Sequence, residues 1–308
     1  MRIVLFAHEN SGVKALQELK RNERDIVRTY THPPNMDTHE KIWYESVTKE
    51  CKKYNVPVVE KISLTEQDEK EIQHLAPDII LSIGWRRLIP KTIFQIPRFG
   101  SVNIHGGLLP KYRGFSPINW AIINGETEIG ITAHYIVEDV DAGDIILQRK
   151  LSVNVDETAY DVYKKILSQV PDVVTNTLSL IEKHRVKPKK QNHTKGFICT
   201  RRFPDDGKID WSQDRTKVYN LVRALSDPFP NAYCFYNEKK IYIKKAKLTN
   251  EDFRGMQGRI CSIRDDGVIV TCGNDHTKNQ SVLITEIAIE DKIFKPRDYF
   301  KKLWLQLT

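Results

Sequence analysis

Only five cysteines occur among 308 residues, Cys51, Cys199, Cys234, Cys261 and Cys272, an odd number with no C-x-x-C pair. Their spacing excludes a disulfide framework and a zinc site, and it fits a reducing cytoplasm, which is the expected location. Long hydrophobic runs are missing too. The first apolar stretch, Ile3-Val4-Leu5-Phe6-Ala7, stops at His8-Glu9-Asn10 and is too short for a signal sequence or a membrane span, so no membrane association is expected. The next residues, His8-Glu9-Asn10-Ser11-Gly12, match neither G-x-G-x-x-G nor G-x-x-x-x-G-K-[ST]. Dinucleotide redox chemistry and P-loop phosphoryl transfer therefore lose their sequence support. His8, His32, His39, His74, His134, His184, His193 and His276 show no metal-ligand spacing; they read as ordinary, and no metal is expected.

The net charge is +8, but it is unevenly spread. Residues 181–202 carry Lys183, Arg185, Lys187, Lys189, Lys190, Lys195, Arg201 and Arg202 against Glu182 alone. A charge confined to one connector reads as a solvated linker rather than a nucleic-acid surface.

A hydrophobic content of 40% over 308 residues is enough for two cores. In the first half, β-rich runs at Ile3–Ala7, Ile26–Tyr30, Val56–Val59, Ile79–Ile83 and Val102–His105 alternate with helical patterns around Val13–Lys20, Lys41–Tyr54, Glu66–Leu75 and Ile118–Asn124. That alternation predicts an α/β domain with a Rossmann-like, mostly parallel sheet, and it puts ligands at the carboxyl ends of the strands. Thr132–Val137 and Ile145–Val153 read as an appended hairpin, and Ala159–His184 as a closing helix. Beyond residue 200 the runs shorten and turn signals multiply, after a helix at Arg215–Ala224. This predicts a small antiparallel barrel of residues 201–308 behind a catalytic domain of residues 1–200.

One segment carries chemistry: Ser101-Val-Asn103-Ile-His105-Gly-Gly-Leu-Leu-Pro110-Lys-Tyr-Arg113-Gly114, with Asp141-Ala-Gly143-Asp144 on a separate element. Alternate residues of a strand share a face, so Asn-x-His aims an amide and an imidazole at one point. The amide can donate to a developing oxyanion, the imidazole can carry a proton, and a carboxylate such as Asp141 can orient that imidazole. The turn Asp139–Asp144 is not an EF-hand loop, because the glycine and glutamate such a loop requires are absent. Gly84-Trp85-Arg86-Arg87-Leu88-Ile89-Pro90 comes directly after a buried strand, a junction that commonly lines a cofactor pocket.

These residues resemble the folate-dependent formyltransferases, a family that includes methionyl-tRNA formyltransferase and the sugar-nucleotide N-formyltransferases. Asn103 through Gly114 and the Asp141-Ala-Gly turn resemble its catalytic signature. Arg201-Arg202-Phe203-Pro204-Asp205-Asp206-Gly207-Lys208-Ile209-Asp210-Trp211, Val222–Leu225 and Asp227-Pro228-Phe229-Pro230 resemble its C-terminal domain, a barrel of the OB type. The resemblance implies N10-formyltetrahydrofolate as formyl donor and Asn103, His105 and Asp141 as the catalytic trio. It also implies a pterin held by Arg87, Leu88 and Ile89 and by Val137, Glu138, Asp139 and Val140. Gly107 stands where a serine is usual, and Phe115 where close sugar-type relatives carry an arginine.

The acceptor implied is a nucleotide-linked 4-amino-deoxy sugar, because the 31–47 segment resembles the domain acting on UDP-4-amino-4-deoxy-L-arabinose. That segment has one Lys against three acids, poor chemistry for gripping tRNA phosphates. Such a role belongs to surface-glycan biosynthesis and implies no nucleic-acid partner, and relatives often form homodimers. Methionyl-tRNA formyltransferase, a formyltetrahydrofolate hydrolase and a nucleic-acid-binding module are the alternatives.

Overall fold

Strands and helices alternate along the first third of the chain: β1 (Arg2–Ala7), α1 (Glu9–Arg21), β2 (Asp25–Thr31), α2 (Val47–Lys53), β3 (Val58–Glu60), α3 (Glu66–Leu75), β4 (Ile79–Ile83), α4 (Lys91–Phe94) and β5 (Ser101–His105). Next come β6 (Arg113–Gly114), α5 (Pro117–Ile123), the hairpin β7 (Glu128–Tyr135) and β8 (Ile145–Ser152), α6 (Ala159–Glu182) and β9 (Ile198–Cys199). The computed structural model describes residues 1–34, 42–275 and 280–308. His39, His276, the expected helix start at Lys41 and the charges of Asp37, Glu40 and Lys41 lie outside them.

Contacts divide the chain into one unit of Met1–Pro117, Glu128–Ser152 and Tyr163–Arg201, and another of Ile118–Thr127, Val153–Val162 and Arg202–Thr308. The first unit is built on a seven-stranded sheet of order β3-β2-β1-β4-β5-β7-β8. β1 through β5 run parallel to one another, while β7 is antiparallel to both β5 and β8. Ile3, Val4, Leu5, Phe6 and Ala7 have no exposure at all, as a strand covered on both faces requires. Each such large apolar side chain contributes about 1.5–3 kcal/mol by leaving water. Gly12 lets α1 close on β1, since a Cβ there would stand 2.9 Å from that of Ala7. α3 starts at a capping box in which Thr65 and Asp68 exchange hydrogen bonds of 3.4 and 2.8 Å.

Register fixes where the strands end. Ala7 pairs with Ile83 and Ile83 with Ile104, so His8, Gly84 and His105 stand in one row at the carboxyl edge. The strand order reverses between β1 and β4, the switch point at which sheets of this kind bind ligands.

The second unit holds α7 (Arg215–Ala224), β10 (Ala232–Tyr236), β11 (Lys239–Leu248), β12 (Ile260–Arg264), β13 (Gly267–Thr271), β14 (Ser281–Ile289), β15 (Lys292–Phe294) and α8 (Pro296–Tyr299). Its antiparallel ladder runs β10-β11-β14-β13-β12. The C-terminal tail links the two ends of that ladder. Trp304 N donates to Ile260 O and Ile260 N to Leu305 O, at 2.8 and 2.9 Å. Phe235 and Thr308 exchange backbone bonds of 2.6 and 2.9 Å, so backbone pairing runs round a closed ring. The segments 118–127 and 153–162 belong to this unit because polar side chains hold them there. Asn119 Nδ2 donates to Ala224 O at 2.7 Å, and the buried Arg223 donates to Glu157 O at 2.8 Å.

Candidate active site

One strand and one turn bring Asn103, His105 and Asp141 together. Asn103 and His105 lie on β5, and Asp141 on the turn joining β7 to β8. Asn103 Nδ2 donates to Asp141 Oδ1 at 3.0 Å, and His105 Nδ1 stands 3.4 Å from Asp141 Oδ2. The Gly114 N–H donates to the same Oδ2 at 2.9 Å. The other ring nitrogen of His105 donates to Tyr112 O at 2.8 Å, which a carbonyl can only accept. Both nitrogens of this buried imidazole therefore face acceptors. Gly107 leaves room for this ring position, because a Cβ there would lie 2.8 Å from His105 Nε2.

His134, which reads as ordinary in the sequence, is the fourth group on Asp141. Its Nε2 stands 3.2 Å from Asp141 Oδ1, and its Nδ1 donates to Tyr135 O at 2.8 Å. It sits directly opposite Asn103 in the β5–β7 pairing, and no spacing within a single strand signals that. Burial alone would push the Asp141 carboxyl upward. The attraction of His105 and His134 and the Gly114 N–H outweigh it and hold the group well below the ordinary carboxylate range. A buried polar network fixes the floor: Thr132 Oγ1 donates to Gly107 O at 2.6 Å, and Gln148 Nε2 donates to Thr132 Oγ1 and Leu109 O at 2.9 and 3.0 Å.

The lysines of the basic connector and Arg185 are exposed, as its charge suggests, but its backbone is tied to the site. Lys189 and Ile145 exchange two backbone bonds of 2.9 Å, Arg113 N donates to Phe197 O at 3.1 Å, and the Phe197 ring packs edge-on against Tyr112. β9 pairs with β6 beside the Gly114 that holds Asp141.

Of the residues expected to hold a pterin, Ile89 is buried in an apolar cluster with Phe6, Tyr30 and Ile93. Its side chain supports that loop from below. Arg87 and Asp139 are exposed, Leu88 is 70% and Val137 42% exposed, and Val140 is half-buried. Glu138 forms an ion pair with Lys91, which brings the 84–91 and 137–141 segments side by side. Leu88 and Val137 thus put two exposed apolar side chains on these neighbouring segments.

At the switch point, His8 and His32 also prove to be more than ordinary. His32 stacks on Trp85 with centroids 3.9 Å apart, and His8 lies 5.2 Å from His32, its Nε2 buried and without a hydrogen-bond partner among the described residues. Burial and the nearby Arg86 lower His8 from 6.5 to about 3; burial likewise brings His32 to about 4. Between those values and 6.5 the unfolded chain binds protons that the native state does not. Stability is therefore fully present above pH 6.5 and falls as pH drops through the window, by up to about 1.4 kcal/mol per pH unit for each ring. Denaturant titrations of His8→Gln should show an acid-side decline about 1 kcal/mol per pH unit shallower than that of the unsubstituted chain. An identical slope would mean that His8 is not buried neutral.

A family model for formyl transferase matches residues 1–178, and one for its C-terminal domain matches residues 202–303. The chain is 33% identical over 295 residues to the bifunctional polymyxin resistance protein ArnA of Wigglesworthia glossinidia brevipalpis, covering 95% of this chain and 44% of that protein. It is 31% identical over 277 residues to the methionyl-tRNA formyltransferase of Alkaliphilus oremlandii (strain OhILAs), covering 89% of each. Among solved structures, WlaRD, a sugar 3N-formyl transferase studied with dTDP and 5-N-formyl-THF, shares the fold at a TM-score of 0.69 and 22% identity, over 95% of this chain and 98% of its own. An N-formyltransferase from Helicobacter canadensis, complexed with folinic acid and dTDP-3-aminofucose, gives a TM-score of 0.68 at 21% identity, over 92% and 98%.

Proposed function

Because the chain belongs to the formyl transferase family, whose models match residues 1–178 and 202–303, we propose that it moves a formyl group from N10-formyltetrahydrofolate to the amine of a nucleotide-linked 4-amino-deoxy sugar. The observation that carries this reading is the convergence of Asn103, His105 and Asp141. In it, Asn103 Nδ2, which donates to Asp141 Oδ1 and stands 3.4 Å from His134 Nε2, keeps its bond to Asp141 and turns its second N–H from His134 to the oxyanion that develops as the amine adds to the formyl carbon. His105 takes the proton lost by the amine and delivers it toward the leaving nitrogen, and Asp141 holds the imidazole in line. The exposed Leu88 and Val137 flank the donor ring, and the one-carbon unit is what that donor supplies. Asn103→Ala is expected to cost roughly 10²–10³-fold in turnover with donor binding retained. Near wild-type turnover in that variant would remove the oxyanion assignment.

The sugar acceptor is supported by the likeness to ArnA, by the dTDP-sugar chemistry of the structural neighbours, and by the acidic balance of residues 31–47. A methionyl-tRNA acceptor has its own support in relatives of 31% and 32% identity. Salt separates the two. Neutralising several phosphates makes tRNA binding fall by roughly 10³-fold or more between 50 and 200 mM salt, whereas a diphosphate sugar loses far less. A shallow dependence of acceptor KM is expected, and a steep one would favour the tRNA reading.

A further inference from the structure

Gln191 lies in the basic connector, outside every motif that the sequence singles out, and it is only 7% exposed. Its Nε2 donates to Asp141 O at 2.8 Å and to Gly143 O at 2.7 Å. Both partners are carbonyls, which only accept, so the amide has one orientation; the reversed one would set Oε1 against two oxygens. Asp141 needs such support because its φ is +48°, in the left-handed region that favours glycine. Gly143 holds the other side of the turn, since a Cβ there would lie 1.9 Å from Tyr135 O. The paired bonds between Lys189 and Ile145 deliver the connector to this point.

We propose that Gln191 is a positioning residue for catalysis: by clamping the carbonyls of Asp141 and Gly143, it holds the Asp141 carboxylate where it meets His105, His134 and Asn103. This inference rests on the reading of Asn103, His105 and Asp141 as the reacting trio. Residues 185–201 are, on this view, part of the active site's frame. The clamp acts through the backbone of the turn and touches no substrate, so its loss should slow turnover and leave binding alone.

Two substitutions test it. Gln191→Met keeps the volume and removes both donors; kcat should fall roughly ten- to fifty-fold, with the KM of donor and acceptor within about two-fold of wild type. Gln191→Glu is isosteric, but it can donate only when protonated. Its rate relative to wild type should therefore rise at least five-fold as pH is lowered from 8.5 to 5.5. Asp139, Asp141 and Asp144 on the turn, His105 and His134 beyond it, and Lys189, Lys190 and His193 on the connector are common to both proteins, so the ratio isolates the new carboxyl. Ring-nitrogen NMR of His105 and His134 in Gln191→Met, which needs no substrate, should show both rings shifted from wild type. Unshifted rings, a kcat within three-fold of wild type, or a flat Gln191→Glu ratio would each overturn the proposal. Asp141→Asn is assayed alongside: if it is fully active, the trio itself is misassigned, whereas an inactive Asp141→Asn beside an active Gln191→Met defeats only the clamp.

Discussion

His105→Ala is expected to lower the turnover of formyl transfer by roughly 10²–10⁴-fold, the usual worth of a positioned acid–base group. The imidazole is buried, with one nitrogen 2.8 Å from Tyr112 O and the other 3.4 Å from Asp141 Oδ2. In the proposed mechanism the ring exchanges one of these partners for substrate, so that it can both accept the amine's proton and return it to the leaving nitrogen. Alanine leaves that space to water, which binds without the ring's fixed direction. His105→Gln is the companion variant, because it preserves most of the volume and polarity yet carries no titratable nitrogen; it should be as slow as alanine. Single-turnover rates with saturating donor and acceptor decide the matter. Retention of near wild-type rates in both variants would show that proton transfer proceeds elsewhere.

Asp141→Asn should produce a loss of comparable size. Removing a carboxylate that orients a catalytic imidazole costs up to roughly 10⁴-fold in other triads. Here the carboxylate serves four donors or rings at once: the Asn103 amide, the Gly114 N–H, His105 and His134. An asparagine can still accept on one oxygen, but it turns an N–H toward the other partners and removes the charge. Stability should respond with a defined sign. Burial raises the Asp141 carboxyl, but the two histidines and the Gly114 N–H more than reverse that, so its native value is depressed. Such a group contributes stability that is fully present above the unfolded pKa of about 3.9 and is lost as pH falls through the lower native value. Asp141→Asn should thus melt lower than wild type at pH 7, and the gap should close below about pH 4. A gap that widens on acidification would mean that Asp141 is protonated in the native site.

Sequence periodicity exposes much of this arrangement and conceals the rest for identifiable reasons. Asn103 and His105 can be paired from the sequence because strand alternation is a local rule, and the observed β5 differs from the expected strand by one residue. Ile79–Ile83, Glu66–Leu75 and Arg215–Ala224 coincide with their elements because apolar runs and caps mark their ends. His134 escapes because its role depends on an antiparallel register that sets it across from Asn103, and register is a property of two strands. Gln191 escapes because lysines surround it, and a charged run suggests solvent even where a backbone ladder ties it down. Ile89 resembles a cofactor contact by position in its loop, but its side chain turns into the core. The closing tail Trp304–Thr308 escapes because it is short and its backbone partners, Ile260 and Phe235, lie far from it in sequence.

The most direct test of the account tracks a single turnover of 13C-labelled N10-formyltetrahydrofolate with UDP-, dTDP- and GDP-linked 4-amino sugars, and with uncharged and methionyl-charged initiator tRNA. The label is expected as a formamide on the amine of one sugar nucleotide and nowhere on tRNA. Label on methionyl-tRNA alone would contradict the sugar acceptor, and release of free formate without any acceptor would contradict formyl transfer itself.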